Sequence, residues 1–197
     1  MPASHRLRTP RARAGAAGGN LRAVGDLEQH FLTDAAALAW IVAELDPRPG
    51  ERVVELGAGA GTIAQALSRT VAPEDLTLVE LDPRLAAGLR SLFAGTRVLA
   101  EDWRLAWRRL PPPDVLVVSL PHALVPAVLA AAAEAPPRVA VVAVAVDDPP
   151  RLPSGLTRTA SRPLPSASYA PPQPFDGVAW VIRPAGLGRD DRRAAEH

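Results

Sequence analysis

The stretch that most limits what this chain can fold into is Arg52-Val53-Val54-Glu55-Leu56-Gly57-Ala58-Gly59-Ala60-Gly61-Thr62. Val53 to Leu56 is a short apolar run bounded by turn residues, which reads as a buried strand. Glycines follow at 57, 59 and 61, and a helical pattern opens at Thr62. Glycine is required where a backbone turns with positive φ, or where a ligand must approach with no Cβ in the way. A strand that ends in such a turn and enters a helix is the phosphate or nucleoside crevice of a doubly wound α/β sheet. No G-K-[ST] follows, so the turn is not a P-loop. The spacing is G-x-G-x-G, with the acid Glu55 two residues before the first glycine.

A second acid completes the pattern. Leu76-Thr77-Leu78-Val79-Glu80 reads as the next parallel strand, and Glu80 lies about 20 residues beyond the turn, the distance at which a dinucleotide fold places its ribose-binding carboxylate. A carboxylate offers two acceptor oxygens to the two hydroxyls of a ribose. Leu81 is then expected against a purine face. Asp82-Pro83 starts a helix whose stripe is Leu85, Leu89 and Leu92. A strand over 96–100 ends in Glu101-Asp102-Trp103. Asp102 is expected either to accept from a purine amino group or to cap the helix that follows, and the two roles are compatible. Strands over 115–119 and 139–146, a helix over 124–135, and strands over 156–162 and 177–182 continue the chain.

Before these elements, Thr33 suits a helix N-cap, and Leu38, Ile41, Val42 and Leu45 fall at i, i+3, i+4 and i+7. Residues 1–25 carry five arginines before the first acid, with no periodic apolar face, and are expected as a disordered basic arm. Residues 26–184 form the folded domain, and 185–197 a flexible tail. The 197 residues contain no cysteine and have a net charge of +1. That excludes thiol chemistry and disulfides, fits a cytoplasmic protein, and argues against a strongly basic nucleic-acid binder. The four histidines show no metal-ligand spacing, so no metal is expected. The uncharged stretch from Val115 to Ala133 is broken by Pro121 and Pro126, so a transmembrane segment is not expected.

The E-x-G-x-G-x-G turn is similar to that of S-adenosylmethionine methyltransferases, and the chain as a whole resembles the ribosomal RNA adenine N6-dimethyltransferases. Gln29-His30-Phe31-Leu32 resembles that family's Q-N/H-F-L signature. Val79-Glu80-Leu81-Asp82 resembles a cofactor motif, and Tyr169-Ala170-Pro171-Pro172 with Phe175-Asp176-Gly177-Val178-Ala179 resembles the late F-x-P segment. The resemblance implies a class I, Rossmann-like doubly wound sheet of about seven strands with helices on both faces. It implies S-adenosylmethionine as cofactor, contacted by His30, Leu32, Glu55, Gly57, Gly59, Gly61, Glu80, Leu81, Asp102, Trp103 and Ser119. It implies methyl transfer to an adenine amine of ribosomal RNA, with Ser119, Leu120, Pro121, His122 and Tyr169 around the acceptor.

Three departures qualify that expectation. The family's N-[IL]-P-[YF] reads Ser119-Leu120-Pro121-His122 here. Asparagine offers a carbonyl acceptor to the adenine amine, whereas the serine hydroxyl is shorter and is both donor and acceptor. The stretch between His122 and Tyr169 is shorter than the family's, and its C-terminal helical RNA-binding domain is expected to be absent. The Ser119-Leu120-Pro121 turn also looks like that of bacterial phospholipid N-methyltransferases. A small-molecule or lipid head-group acceptor therefore stands as the alternative, together with a cofactor-binding homologue that does not turn over. The oligomeric state is not encoded legibly.

Overall fold

The computed structural model describes residues 30–145 and 149–186. The basic arm expected from sequence, residues 187–197 of the expected C-terminal tail, and Gln29 lie outside the described residues. The elements are β1 (Phe31–Leu32), α1 (Ala35–Leu45), β2 (Val53–Leu56), α2 (Thr62–Leu67), β3 (Leu76–Glu80), α3 (Pro83–Leu92), β4 (Arg97–Ala100), α4 (Trp103–Arg109), β5 (Val115–Val118), α5 (Val125–Glu134), β6 (Val139–Ala145), β7 (Leu156–Leu164), β8 (Tyr169–Ala170) and β9 (Gly177–Pro184).

Seven strands form one sheet in the order β4-β3-β2-β5-β6-β9-β7. The five from β4 to β6 are parallel, and β9 runs antiparallel between β6 and β7. The strand order reverses between β2 and β5, and an open α/β sheet binds ligands at such a point, at the carboxyl ends of its strands. The fold class expected from sequence is the one found.

Both faces of the sheet are covered, so β2 and β5 are buried along their whole length. Side chains alternate between the faces with period two. Val53, Leu78, Val115 and Val117 pack with α1, α2 and α3. Val54, Leu56, Val79, Leu116 and Val118 pack with α4 and α5. This alternation directs Glu55 and Glu80 to the same face as Val53 and Leu78.

The helix starts follow their caps. Asp82 accepts from Arg84 N, and Pro83 fills the first helical position, where its missing N–H costs nothing. At α1 the cap is Asp34 rather than Thr33. Its carboxylate accepts from Ala37 N at 2.9 Å, while Thr33 N donates to Ser168 O at 2.8 Å. That last bond belongs to a feature the sequence did not signal, a two-residue ribbon in which Phe31 pairs with Ala170 and Leu32 with Tyr169. Two residues are too few to show a period, yet this ribbon holds the segment before α1 against the segment before β9.

Candidate active site

The carboxyl ends of β2, β3, β4 and β5, roofed by the β1–β8 ribbon, enclose a cleft of about 510 Å³. His30, Leu32, Glu55, Gly57, Gly59, Glu80, Leu81, Asp102, Trp103, Ser119, Leu120, Pro121, His122 and Tyr169 all line it. The positions marked in sequence thus come together from six separate segments, with one exception. Gly61 faces away, where a Cβ would stand 2.7 Å from the Phe93 ring and 2.9 Å from Leu89. It serves the close approach of α3 to the turn and does not contact the cleft.

The turn is strapped to its neighbours through the backbone. Gly57 N and Ala58 N both donate to Val79 O, and Ser119 N donates to Leu56 O. Gly57 has φ +77°, and a Cβ there would lie 2.6 Å from the Ser119 carbonyl oxygen. At Gly59 a Cβ would meet the Phe31 ring at 2.9 Å, so the ribbon sits directly over the turn. Glu80 is locked at the tip of β3. Its Oε2 accepts from Gly59 N and its Oε1 from Asp82 N, each at 2.8 Å. The carboxylate therefore faces the glycine turn. Each oxygen has a second acceptor direction left for a ligand hydroxyl.

Several polar atoms of the cleft residues are shut from solvent and meet no partner: His30 Nε2, Glu55 Oε2, Glu101 Oε1 and Trp103 Nε1. Leaving a buried donor or acceptor unmet costs about 1–3 kcal/mol each. All four belong to residues that line the cleft, which agrees with a site that takes a polar ligand. His30 Nδ1 donates to Pro171 O at 2.9 Å, which leaves Nε2 as the free ring nitrogen.

Glu55 is 1% exposed. Burial, reinforced by the negative charge of Glu80, pushes its carboxyl up to about 8. The unfolded chain releases this proton near 4.5 and the folded chain holds it to about 8. Across that interval the folded state binds more protons, so stability falls as pH rises. The contribution is complete below 4.5 and is lost as pH passes 8. Glu55→Gln, neutral at every pH, is expected to melt with wild type at pH 5 and about 5 °C or more above it at pH 9. Thermal unfolding across that range checks this. Parallel pH profiles for the two proteins would remove the assignment.

Two residues were missed in sequence. Glu101, passed over for its neighbour Asp102, lines the cleft with one oxygen unpartnered and the other held by Arg109. Phe175, in the segment leading into β9, lines the cleft and is 43% exposed, as Leu81 is at 48%. An exposed aromatic and an exposed leucine on a cleft wall suit a planar ligand better than solvent. Tyr169 is less open, and burial pushes its phenol above the ordinary value against a hydrogen bond from Gln173. Among the described residues no cluster of His, Asp or Glu could hold a metal ion, and no helix is long and apolar enough to cross a membrane.

Comparison with known proteins agrees with this geometry. Residues 21–101 match the family model "Ribosomal RNA adenine dimethylase". The chain is 52% identical over 62 residues to the ribosomal RNA small subunit methyltransferase A of Methylibium petroleiphilum, covering 32% of this chain and 23% of that protein. It is 38% identical over 111 residues to the enzyme of the same name from Kineococcus radiotolerans, covering 52% and 36%. The matches thus span about a third or less of those curated relatives. Among solved structures it resembles the 23S rRNA methyltransferase ErmE (TM-score 0.65, 22% identity, 80% of this chain and 71% of that one). It also resembles a dimethyladenosine transferase from Plasmodium falciparum (TM-score 0.62, 17% identity, 79% and 63%). The fold is that of the class I methyltransferases, and residues 21–101 are similar to the ribosomal RNA adenine dimethylase family.

Proposed function

We propose that the chain is an S-adenosylmethionine-dependent N-methyltransferase, acting in the cytoplasm on an adenine exocyclic amine of ribosomal RNA. The observation that carries this reading is Glu80, fixed by Gly59 N toward a glycine turn inside a cleft whose lining residues hold several unmet polar atoms. The residues present fit the cofactor. Glu80 would take the ribose hydroxyls, Leu81 and the β4–α4 loop the purine, and the Gly57–Gly59 turn and Glu55 the methionine end. A cation brought to Glu55 favours its ionised form, so binding is expected to release a proton below pH 8. When bound, S-adenosylmethionine supplies an electrophilic methyl group.

The rest is positioning, which supplies much of the rate in such transfers. Ser119, on the cleft wall, would accept from the two N–H groups of the amine through its hydroxyl and carbonyl. The rings of His122 and Tyr169 would flank an extruded base, and Phe175 would extend the stack at the lip. The β1–β8 ribbon covers the turn, with the Phe31 ring against Gly59. No general base is required, because the amine can shed its proton after methylation.

The test is transfer of tritiated methyl from S-adenosylmethionine to ribosomal RNA, extracted lipid and small-metabolite pools in parallel. Label in RNA is the expected result. Label confined to lipid or metabolites would replace the acceptor with that of the phospholipid-type reading, which the Ser119-Leu120-Pro121 turn favours. Binding without label in any pool would leave a cofactor-binding protein that does not turn over. Ser119→Asn restores the amide acceptor. It is expected to leave cofactor affinity within about threefold and to raise RNA methylation roughly ten- to a hundredfold, below the full worth of a transition-state hydrogen bond. Isothermal calorimetry and initial rates on the same preparation check both halves.

A further inference from the structure

The net charge of +1 is unevenly divided along the chain. The described residues hold fourteen arginines and fourteen acids, so with histidine uncharged the fold itself is neutral. Much of that charge is also matched locally: Arg52, Arg84, Arg104, Arg109, Arg138 and Arg183 each pair with an acid. The cleft is poorer still in cations. Its lining includes Glu55, Glu80, Glu101 and Asp102 but no arginine, and the chain has no lysine. A polyanion arriving at this mouth meets no fixed cation to hold its phosphates. The unbalanced cations lie elsewhere. Arg6, Arg8, Arg11, Arg13 and Arg22 all precede the first acid, Asp26.

The point at which that segment joins the fold is fixed. His30 lines the cleft, and its Nδ1 donates to Pro171 O at 2.9 Å. Two residues on, Leu32 pairs with Tyr169. The chain therefore enters the fold on the acceptor side of the cleft. The eight residues from Arg22 to His30 span at most about 28 Å, which bounds how far Arg22 lies from the cleft. We infer that residues 1–25 act as a five-arginine tether for an RNA backbone, beside a mouth that has no cations of its own. This rests on the RNA reading above. Arginine suits the task, because its planar fork donates to two phosphate oxygens at once. A basic segment that holds a lipid surface needs an apolar anchor as well. This one has no aromatic residue and no periodic apolar face, which favours RNA over a membrane.

The test is fluorescence anisotropy of a labelled ribosomal RNA fragment, titrated with the full chain at two salt concentrations fourfold apart. Each phosphate neutralised on a single strand adds about 0.7 to the slope of log affinity against log salt. Wild type is expected to lose about twenty- to a hundredfold in affinity between the two conditions, the loss for about three to five contacts. With Arg6→Gln, Arg8→Gln, Arg11→Gln, Arg13→Gln and Arg22→Gln combined, the loss should shrink to within about threefold. Lysine at the same five positions keeps the charge and should restore most of the salt dependence. Calorimetry with S-adenosylhomocysteine should give one dissociation constant for all three proteins, since none of the five positions belongs to the cleft. A wild-type slope in the glutamine chain would overturn the inference, as would wild type whose RNA binding ignores salt. Tighter binding of wild type to phosphatidylglycerol vesicles than to RNA would overturn it in favour of a membrane. Methyl transfer separates this inference from the acceptor reading. RNA labelled by both chains, with equal slopes, sinks the tether and keeps the acceptor. A slope lost in the glutamine chain, with no RNA labelled by wild type, keeps the tether and sinks the acceptor.

Discussion

Glu80→Ala is expected to weaken S-adenosylhomocysteine binding by about a hundredfold or more. A hydrogen bond to a charged acceptor contributes about 1.5–3 kcal/mol, and this carboxylate offers one to each ribose hydroxyl. The same change frees Gly59 N and Asp82 N, which Glu80 now satisfies, so some loss of stability accompanies it. Glu80→Gln separates the two effects. One amide oxygen can keep a backbone donor, but the NH2 can no longer accept from a hydroxyl, and binding should fall by only about tenfold. A third consequence is particular to this site. The charge of Glu80 helps to raise the Glu55 carboxyl, so in Glu80→Ala the pH at which Glu55 ionises should drop. The pH dependence of melting should move to lower pH with it. Calorimetry on folded protein decides the matter: an unchanged dissociation constant in Glu80→Ala would remove the ribose assignment, and with it most of the case for a nucleoside cofactor.

The parts of this architecture that could be read from sequence are those that one residue type or one period enforces. Val53–Leu56 and Val115–Val118 are continuous apolar runs because a parallel strand covered on both faces allows nothing else. Asp82-Pro83 starts a helix because only the first turn accepts that proline. The pairing of Phe31 with Ala170 was not readable, since it depends on two segments far apart in the chain and has no period of its own. Nor could the division of labour in Glu101-Asp102-Trp103 be read. Two adjacent acids look equivalent until Arg104 captures one and Arg109 the other. Gly61 misled for a related reason. Three glycines in a turn look like three ligand approaches, but the third meets Phe93 and Leu89 of the neighbouring helix.

Gly57→Ala tests whether the turn and the acceptor loop are one mechanical unit. A left-handed φ costs a non-glycine residue about 1–2 kcal/mol. The added Cβ would also stand 2.6 Å from the Ser119 carbonyl oxygen and 3.0 Å from Leu120 Cδ2. The carbonyl is backbone, fixed by the bond from Ser119 N to Leu56 O, so it cannot swing clear as a side chain would. Either β2 and β5 separate at their carboxyl ends or the Ser119-Leu120-Pro121 turn moves outward. A total cost of about 3 kcal/mol lowers the melting temperature by about 6–12 °C in a domain of this size. The functional loss should be larger than the stability loss, because a displacement of about 1 Å at a reacting centre can cost about a hundredfold in rate. Below its melting temperature, the variant should still bind S-adenosylhomocysteine within about tenfold of wild type, through Glu80 and the β4–α4 loop, while methyl transfer falls by about two decades. Gly88→Ala, in the middle of α3 with open space around its Cβ position, is the matched control and should change neither. Equal losses of binding and transfer in Gly57→Ala would mean that the glycine serves the cofactor alone, and that Ser119 is not held in place through it.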